Sequence, residues 1–144
     1  MALETTATTF DQLQIGTAIG PERLFISKDQ CRRYARTAHL EAPRFTDDEG
    51  AKKEGLPGMI LPGNFSLGLL TRLVTDWIAM SGAKVTRIGT TYRVPVQPDH
   101  TLTLQGFVTN TYPDERSCEI DIWIENEEAE RLVTGTATVQ FPKS

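Results

Sequence analysis

The chain has 144 residues, of which 39% are hydrophobic and 24% charged, enough for one globular domain with a substantial core. Its formal net charge of −4 excludes the basic footprint that nucleic acid or an anionic membrane surface would require. No apolar run approaches the roughly 20 residues of a bilayer-spanning helix, and the threonine-rich first ten residues lack the basic and apolar regions of a secretion signal, so a cytoplasmic location is expected.

The stretch Leu24-Phe25-Ile26, after Phe10, Leu13 and Ile15, has the character of a strand. Ser27 and Gln30 then form a capping-box pattern, and Cys31, Tyr34, Ala35 and Ala38 follow at i, i+3, i+4 and i+7, one apolar stripe on a short helix. Cys31 and Cys118 lie far apart and are expected as small buried hydrophobes, not a disulfide. Residues 39–46 form a loop around Pro43, and Thr46 with Glu49 marks a second helix start over 48–54, stopped by Gly55. The next stretch, through Pro57-Gly58 and Pro62-Gly63, holds too many breakers for a helix.

The strongest helix is predicted over 64–80. Phe65, Leu69, Leu73 and Trp77 recur every four residues with Leu70, Val74 and Ile78 beside them, and Gly68 permits close approach. After Gly82 the period becomes two. Strands are predicted over 84–94, 101–109, 118–125 and 132–141, with Ile120, Ile122 and Ile124 alternating against Asp121 and Trp123 as the clearest case. A sheet with one apolar face and a helix with one broad stripe cover each other. The expectation is an α+β hotdog fold, one domain over 1–144, with a curved antiparallel sheet wrapped around a long central helix. Its open edge calls for a second copy, so a dimer is expected.

This layout resembles the MaoC-like dehydratases, or (R)-specific enoyl-thioester hydratases. The resemblance rests on Phe10-Asp11-Gln12-Leu13-Gln14-Ile15-Gly16, on Tyr34-Ala35-Arg36, and on Asp47, Ala51, Gly55, Pro57-Gly58 and Pro62-Gly63 in order. Trp77, the strand 87–94, Pro95 and Asp99-His100-Thr101-Leu102 continue it over nearly the whole chain. It implies action on an acyl thioester of coenzyme A or acyl-carrier protein, as substrate rather than cofactor. That family's active loop reads Gly-Asp-x-Asn-Pro-(Ile/Leu)-His-x-Asp. Anchored on Pro43 and Asp47, this chain has Leu40 for the catalytic aspartate, Ala42 for the asparagine and Phe45 for the catalytic histidine. Hydration needs a base to activate water and an acid to protonate carbon, and neither leucine nor phenylalanine exchanges protons.

The resemblance also implies an oxyanion role for the Gly63 backbone N–H at the helix start, against the plainer reading of a turn after Pro62. His39 and Glu41 are the substitute acid/base candidates, since alternation in an extended loop would point both the same way; a solvent-facing loop is the alternative. Asp47 is a third catalytic candidate or the cap of the following helix. Arg44, Phe45, Pro62, Asn64 and Trp77 are the substrate-contact candidates; Asn64-Phe65-Ser66 also matches a glycosylation sequon, without meaning in the cytoplasm. Arg72, Arg87 and Arg93 fit either coenzyme A phosphates or a solvated face. Two histidines and two cysteines without paired spacing point away from a metal. Three functions stay open: a dyad-less subunit paired with a dyad-bearing hotdog chain; a self-sufficient homodimeric dehydratase, cyclase or isomerase using His39, Glu41 or Asp47; and a non-catalytic acyl-binding or scaffold protein with Phe65, Trp77 and Trp123 around its cavity.

Overall fold

The computed structural model describes residues 8–143; the polar stretch 1–7 discussed above lies outside the described residues. A 3-10 turn, Phe10–Gln12, leads to β1 (Ala18–Ile26) and α1 (Lys28–Thr37), followed by the short helices α2 (Pro43–Thr46) and α3 (Asp48–Lys53) and the long helix α4 (Gly63–Trp77). Four strands complete the chain: β2 (Lys84–Tyr92), β3 (His100–Tyr112), β4 (Ser117–Glu125) and β5 (Arg131–Gln140). All pairings are antiparallel in the order β1-β3-β4-β5-β2. Because β2 lies at the far edge and β3 beside β1, residues 93–99 must return across the sheet. That return forms one wall of the site below.

Alternation sets the faces. Leu102, Leu104 and Val108 of β3, Ile120, Ile122 and Ile124 of β4, and Val133, Ala137 and Val139 of β5 are buried on one side. Leu70, Leu73 and Val74 of α4, with Ile78 just beyond it, join the same cluster, so the helix lies in the concavity of the sheet as the hotdog arrangement requires. Gly106, Ile122 and Gly135 stand side by side on β3, β4 and β5. A side chain at 106 would strike the Asp121 carbonyl, and one at 135 would come within 2.7 Å of the Gly89 carbonyl. The glycines let neighbouring strands approach where the sheet curls.

Several expectations are corrected. Residues 39–46 are not all loop: Pro43 sits at the first helical position, where its fixed φ suits a helix start, and α2 forms. Asp47, not Thr46, caps α3, its carboxylate accepting from the Gly50 N–H at 3.0 Å. Thr46 Oγ1 instead donates back to the Ala42 carbonyl. The long helix ends at Trp77, because Met80 and Gly82 take positive φ values and turn the chain toward β2. β1 begins at Ala18, well before Leu24; a register shift between Ile19 and Glu22 breaks the alternation that would have revealed it. Among the described residues no helix is long and apolar enough to cross a membrane.

Candidate functional site

The strap leading into α4 is tied from both sides. Met59 N–H donates to Asp48 Oδ1 (2.9 Å), Ile60 N–H to the Arg44 carbonyl (2.8 Å) and Leu61 N–H to the Val96 carbonyl (2.7 Å). These bonds fix α2, the strap and the returning segment around a cleft of about 290 Å³ at the N-terminus of α4. Arg44 and Phe45 form one wall, Ile60 and Leu61 the floor, Gly63 and Ser66 the helix side, and Tyr92 to Val96 the far wall. Cys31 braces the first wall from behind, its thiol 3.5 Å from the Phe45 carbonyl and 3.4 Å from that of Ile60. Burial pushes that thiol up to about 11, so it stays protonated and packs rather than attacks.

The first turn of α4 carries the site's fixed dipole. The Pro62 carbonyl accepts from Phe65 N–H (2.9 Å) and Ser66 N–H (3.4 Å), and no side chain caps the helix. The Gly63 and Asn64 N–H groups therefore have no protein acceptor among the described residues, the usual state of a helix start. Tyr92, 50% exposed at the end of β2, donates its phenolic O–H to the Gly63 carbonyl at 2.8 Å. Its ring fills the space a side chain at 63 would need: a Cβ there would lie 3.0 Å from Tyr92 Cζ. Glycine at 63 is thus required by the ring above it as well as by the turn.

Of the residues singled out from sequence, Gly63, Arg44 and Phe45 meet in this cleft. Arg44 is partly engaged, with Nε 3.0 Å from Glu54 Oε2 and its guanidinium carbon 5.8 Å from the Phe45 ring centre. Arg93 also lines the cleft, giving it a second guanidinium. Pro62 is buried as the N-cap, and Asn64 is exposed on the first turn beside the cleft. Trp77 lies at the opposite end of α4, about 20 Å along the helix axis, packed against the core. Neither His39 nor Glu41 lines the cleft. His39 takes φ 57° just after α1, so the segment is not uniformly extended as the alternation argument assumed. Glu41 faces a separate shallow depression with Arg32, Arg36 and Thr46. Asp47 is occupied in capping α3. Arg72 bridges toward Glu22 and Asp76 on the helix surface. Trp123 alternates away from α4, covered by the Arg131 guanidinium 3.8 Å above its ring.

Sequence reasoning missed Ser66 and Tyr92. A signal existed for both: Ser66 is a polar residue on the embedded helix face at i+3 from Gly63, and Tyr92 shares parity with Ile88. The cleft can bind through two guanidinium groups, two hydroxyls and a helix N-terminus over an apolar floor. It holds no carboxyl, imidazole, thiol or amine among its lining residues.

A family model described as a MaoC like domain matches residues 10–129. No curated relative matches the chain. Among solved structures, a chain of the ChsH1-ChsH2 complex from Mycobacterium tuberculosis superposes with a TM-score of 0.79 at 22% identity, covering 90% of this chain and 98% of that one. The (R)-hydratase from A. caviae involved in PHA biosynthesis gives 0.81 at 18% identity, covering 91% and 98%. A chain of the C-terminally truncated HadBC 3R-hydroxyacyl-ACP dehydratase complex from Mycobacterium tuberculosis gives 0.69 at 17% identity, covering 88% and 96%. At these identities the likeness is one of fold.

Proposed function

The chain belongs to the MaoC-like domain family, and from that premise we propose that it is the dyad-less subunit of a two-chain hydratase or dehydratase acting on acyl thioesters. The observation that carries this is the lining of the cleft. A fold built for hydration chemistry here places Phe45 beside the helix start, and no carboxyl, imidazole, thiol or amine side chain lines the cleft. The scaffold that would hold an acyl group is intact: an apolar floor, the Gly63 N–H for a thioester carbonyl, and Arg44 and Arg93 for the phosphates of coenzyme A or of a carrier-protein arm. Proton transfer then falls to an Asp/His pair on a partner hotdog chain. Two fold neighbours are chains of complexes, ChsH1-ChsH2 and HadBC, which supports pairing as a use of this fold.

The sheet favours one edge for that pairing. β1 is blunted by Pro21, which has no N–H to offer, and by its register shift. β2 has no proline and ends at Tyr92 beside the cleft, so a chain added there would border the site.

The test is reconstitution with a hotdog chain that carries the Asp/His pair and is encoded beside this one. The full chain alone should not hydrate a 2-enoyl-coenzyme A, and the mixture should form a stable complex with turnover. A stable homodimer with full activity would overturn the proposal. Glu41→Gln, His39→Ala and Asp47→Asn would then decide whether the self-sufficient reading holds, through a loss of about 10²-fold or more in rate.

A further inference from the structure

Two polar side chains are buried among the described residues, Ser66 and Ser117. They differ in one respect. Ser117 Oγ has a protein partner, the Glu115 carboxylate at 3.5 Å. Ser66 is 1% exposed, lines the cleft, and its hydroxyl bonds to no protein group among the described residues. A helix hydroxyl ordinarily donates to the carbonyl four residues back, as Thr71 does to Leu67 at 2.8 Å in this same helix. For Ser66 that acceptor is the Pro62 carbonyl, already shared by the Phe65 and Ser66 N–H groups. No fully enclosed side-chain nitrogen or oxygen among the described residues lacks a partner, so the unpaired Ser66 oxygen keeps its small remaining exposure, and that exposure faces the cleft it lines.

A hydroxyl held in an apolar recess without a partner is a cost to the free protein, and a ligand that brings a matching oxygen removes it. The cleft that Ser66 lines is mainly apolar, with Phe45, Ile60, Leu61, Val94 and Val96, and its other polar side chains are Arg44, Tyr92, which is bonded to the Gly63 carbonyl, and Arg93. Ser66 stands one helical turn beyond Gly63 on the same face. A thioester carbonyl at the Gly63 N–H would therefore send its acyl chain past this hydroxyl.

Resting on the reading that the cleft takes an acyl thioester, we propose that Ser66 is a specificity-determining residue. Its hydroxyl selects acyl groups that carry a hydroxyl or keto oxygen close to the thioester over plain hydrocarbon chains of the same length. A site that hydrogen-bonds a ligand oxygen rejects the analogue lacking it far more strongly than an apolar site distinguishes one methylene.

The experiment is titration calorimetry of the full chain with butyryl-, 3-hydroxybutyryl- and acetoacetyl-coenzyme A, on the natural sequence, Ser66→Ala and Ser66→Thr. The natural chain should bind an oxygenated probe at least tenfold more tightly than butyryl-coenzyme A. Ser66→Ala should remove that preference by weakening the oxygenated probes more than butyryl-coenzyme A, and Ser66→Thr should keep it. The urea midpoint of Ser66→Ala should be equal to or above that of the natural chain, because no protein hydrogen bond is lost. Equal binding of all probes, an equal loss for all in Ser66→Ala, or a lowered midpoint would overturn the inference and leave the acyl-thioester reading standing. Binding of none of the three would overturn that reading and the inference with it.

Discussion

Gly63 and Tyr92 are 29 positions apart in sequence and share one volume in space. An alanine at 63 would put its Cβ 3.0 Å from the ring and 3.3 Å from the phenolic oxygen, closer than the pair tolerates without movement. The ring would have to swing out and give up its bond to the Gly63 carbonyl. Gly63→Ala is therefore expected to cost about 1–2 kcal/mol in urea unfolding, more than the about 0.5–1 kcal/mol of Tyr92→Phe, which loses the hydrogen bond alone. In a Tyr92→Ala background Gly63→Ala should cost much less, and additive effects in that cycle would disprove the shared-volume account. The cysteines make a second residue-scale case. Burial pushes both Cys31 and Cys118 up to about 11, so at pH 7.5 each is a protonated, enclosed thiol. Iodoacetamide should leave both unmodified in the folded chain, as read by intact mass, and alkylate both in urea. At this scale the sequence disclosed what the site lacks better than what it contains. Leu40, Ala42 and Phe45 could be read against a motif, because a motif is local. Ser66 and Tyr92 showed only as a polar residue on an apolar helix face and an aromatic in parity with Ile88, because each acquires its role from a partner or an opening that only the folded chain brings near.

At the scale of elements, α1, α3 and the strap before α4 are joined through a small polar junction. Lys28 Nζ lies 2.8 Å from Asp48 Oδ2, Asp48 Oδ1 accepts the Met59 N–H, and Asp99 Oδ1 accepts the Lys28 N–H. The Lys28 hydrogen bond, then that of Met59, holds the Asp48 carboxyl below its ordinary value, and Asp48 in turn raises Lys28. A lowered carboxyl stabilises the fold above its unfolded value near 3.8 and loses that contribution as pH falls through the lower folded value. A raised lysine stabilises below 10.5 and loses its share as pH rises through the higher folded value. Asp48→Asn should lower the melting temperature at pH 7, and its deficit should shrink at both acid and alkaline extremes and in 1 M salt, since the pair is partly exposed. A deficit independent of pH would assign the effect to the Met59 bond alone. Helix α4 was legible because its apolar face is broad and unbroken, and α1 because Ser27 and Gln30 form the capping box seen in the structure. α2 was not legible, since four residues carry no period, and β1 was obscured because its register shift falls where alternation would be counted.

At the scale of the molecule, alternation foretold the four later strands but not their order. The order depends on which strand each apolar face finds across the sheet, and β2 reaches β5 only after the chain has closed around α4. That order leaves β2 with one side paired to β5 and the other side open among the described residues. Its residues are mostly exposed, although it runs nine residues and ends at Tyr92 beside the cleft. An open strand edge of this length is an aggregation hazard unless something covers it, and β1 shows the alternative remedy, a proline in the strand. The proposed pairing makes a positional claim in consequence. Amide hydrogen exchange along Lys84–Tyr92 should slow when the dyad-bearing partner is added, while exchange along Ala18–Ile26 stays as it was. The complex should bury about 1,200–2,000 Å², the range of stable specific interfaces. Protection confined to β1, or to the outer face around Trp123 and Arg131, would move the partner to another surface. The β2 edge would then owe its exposure to some other constraint, and Tyr92 would no longer stand at the junction of two chains.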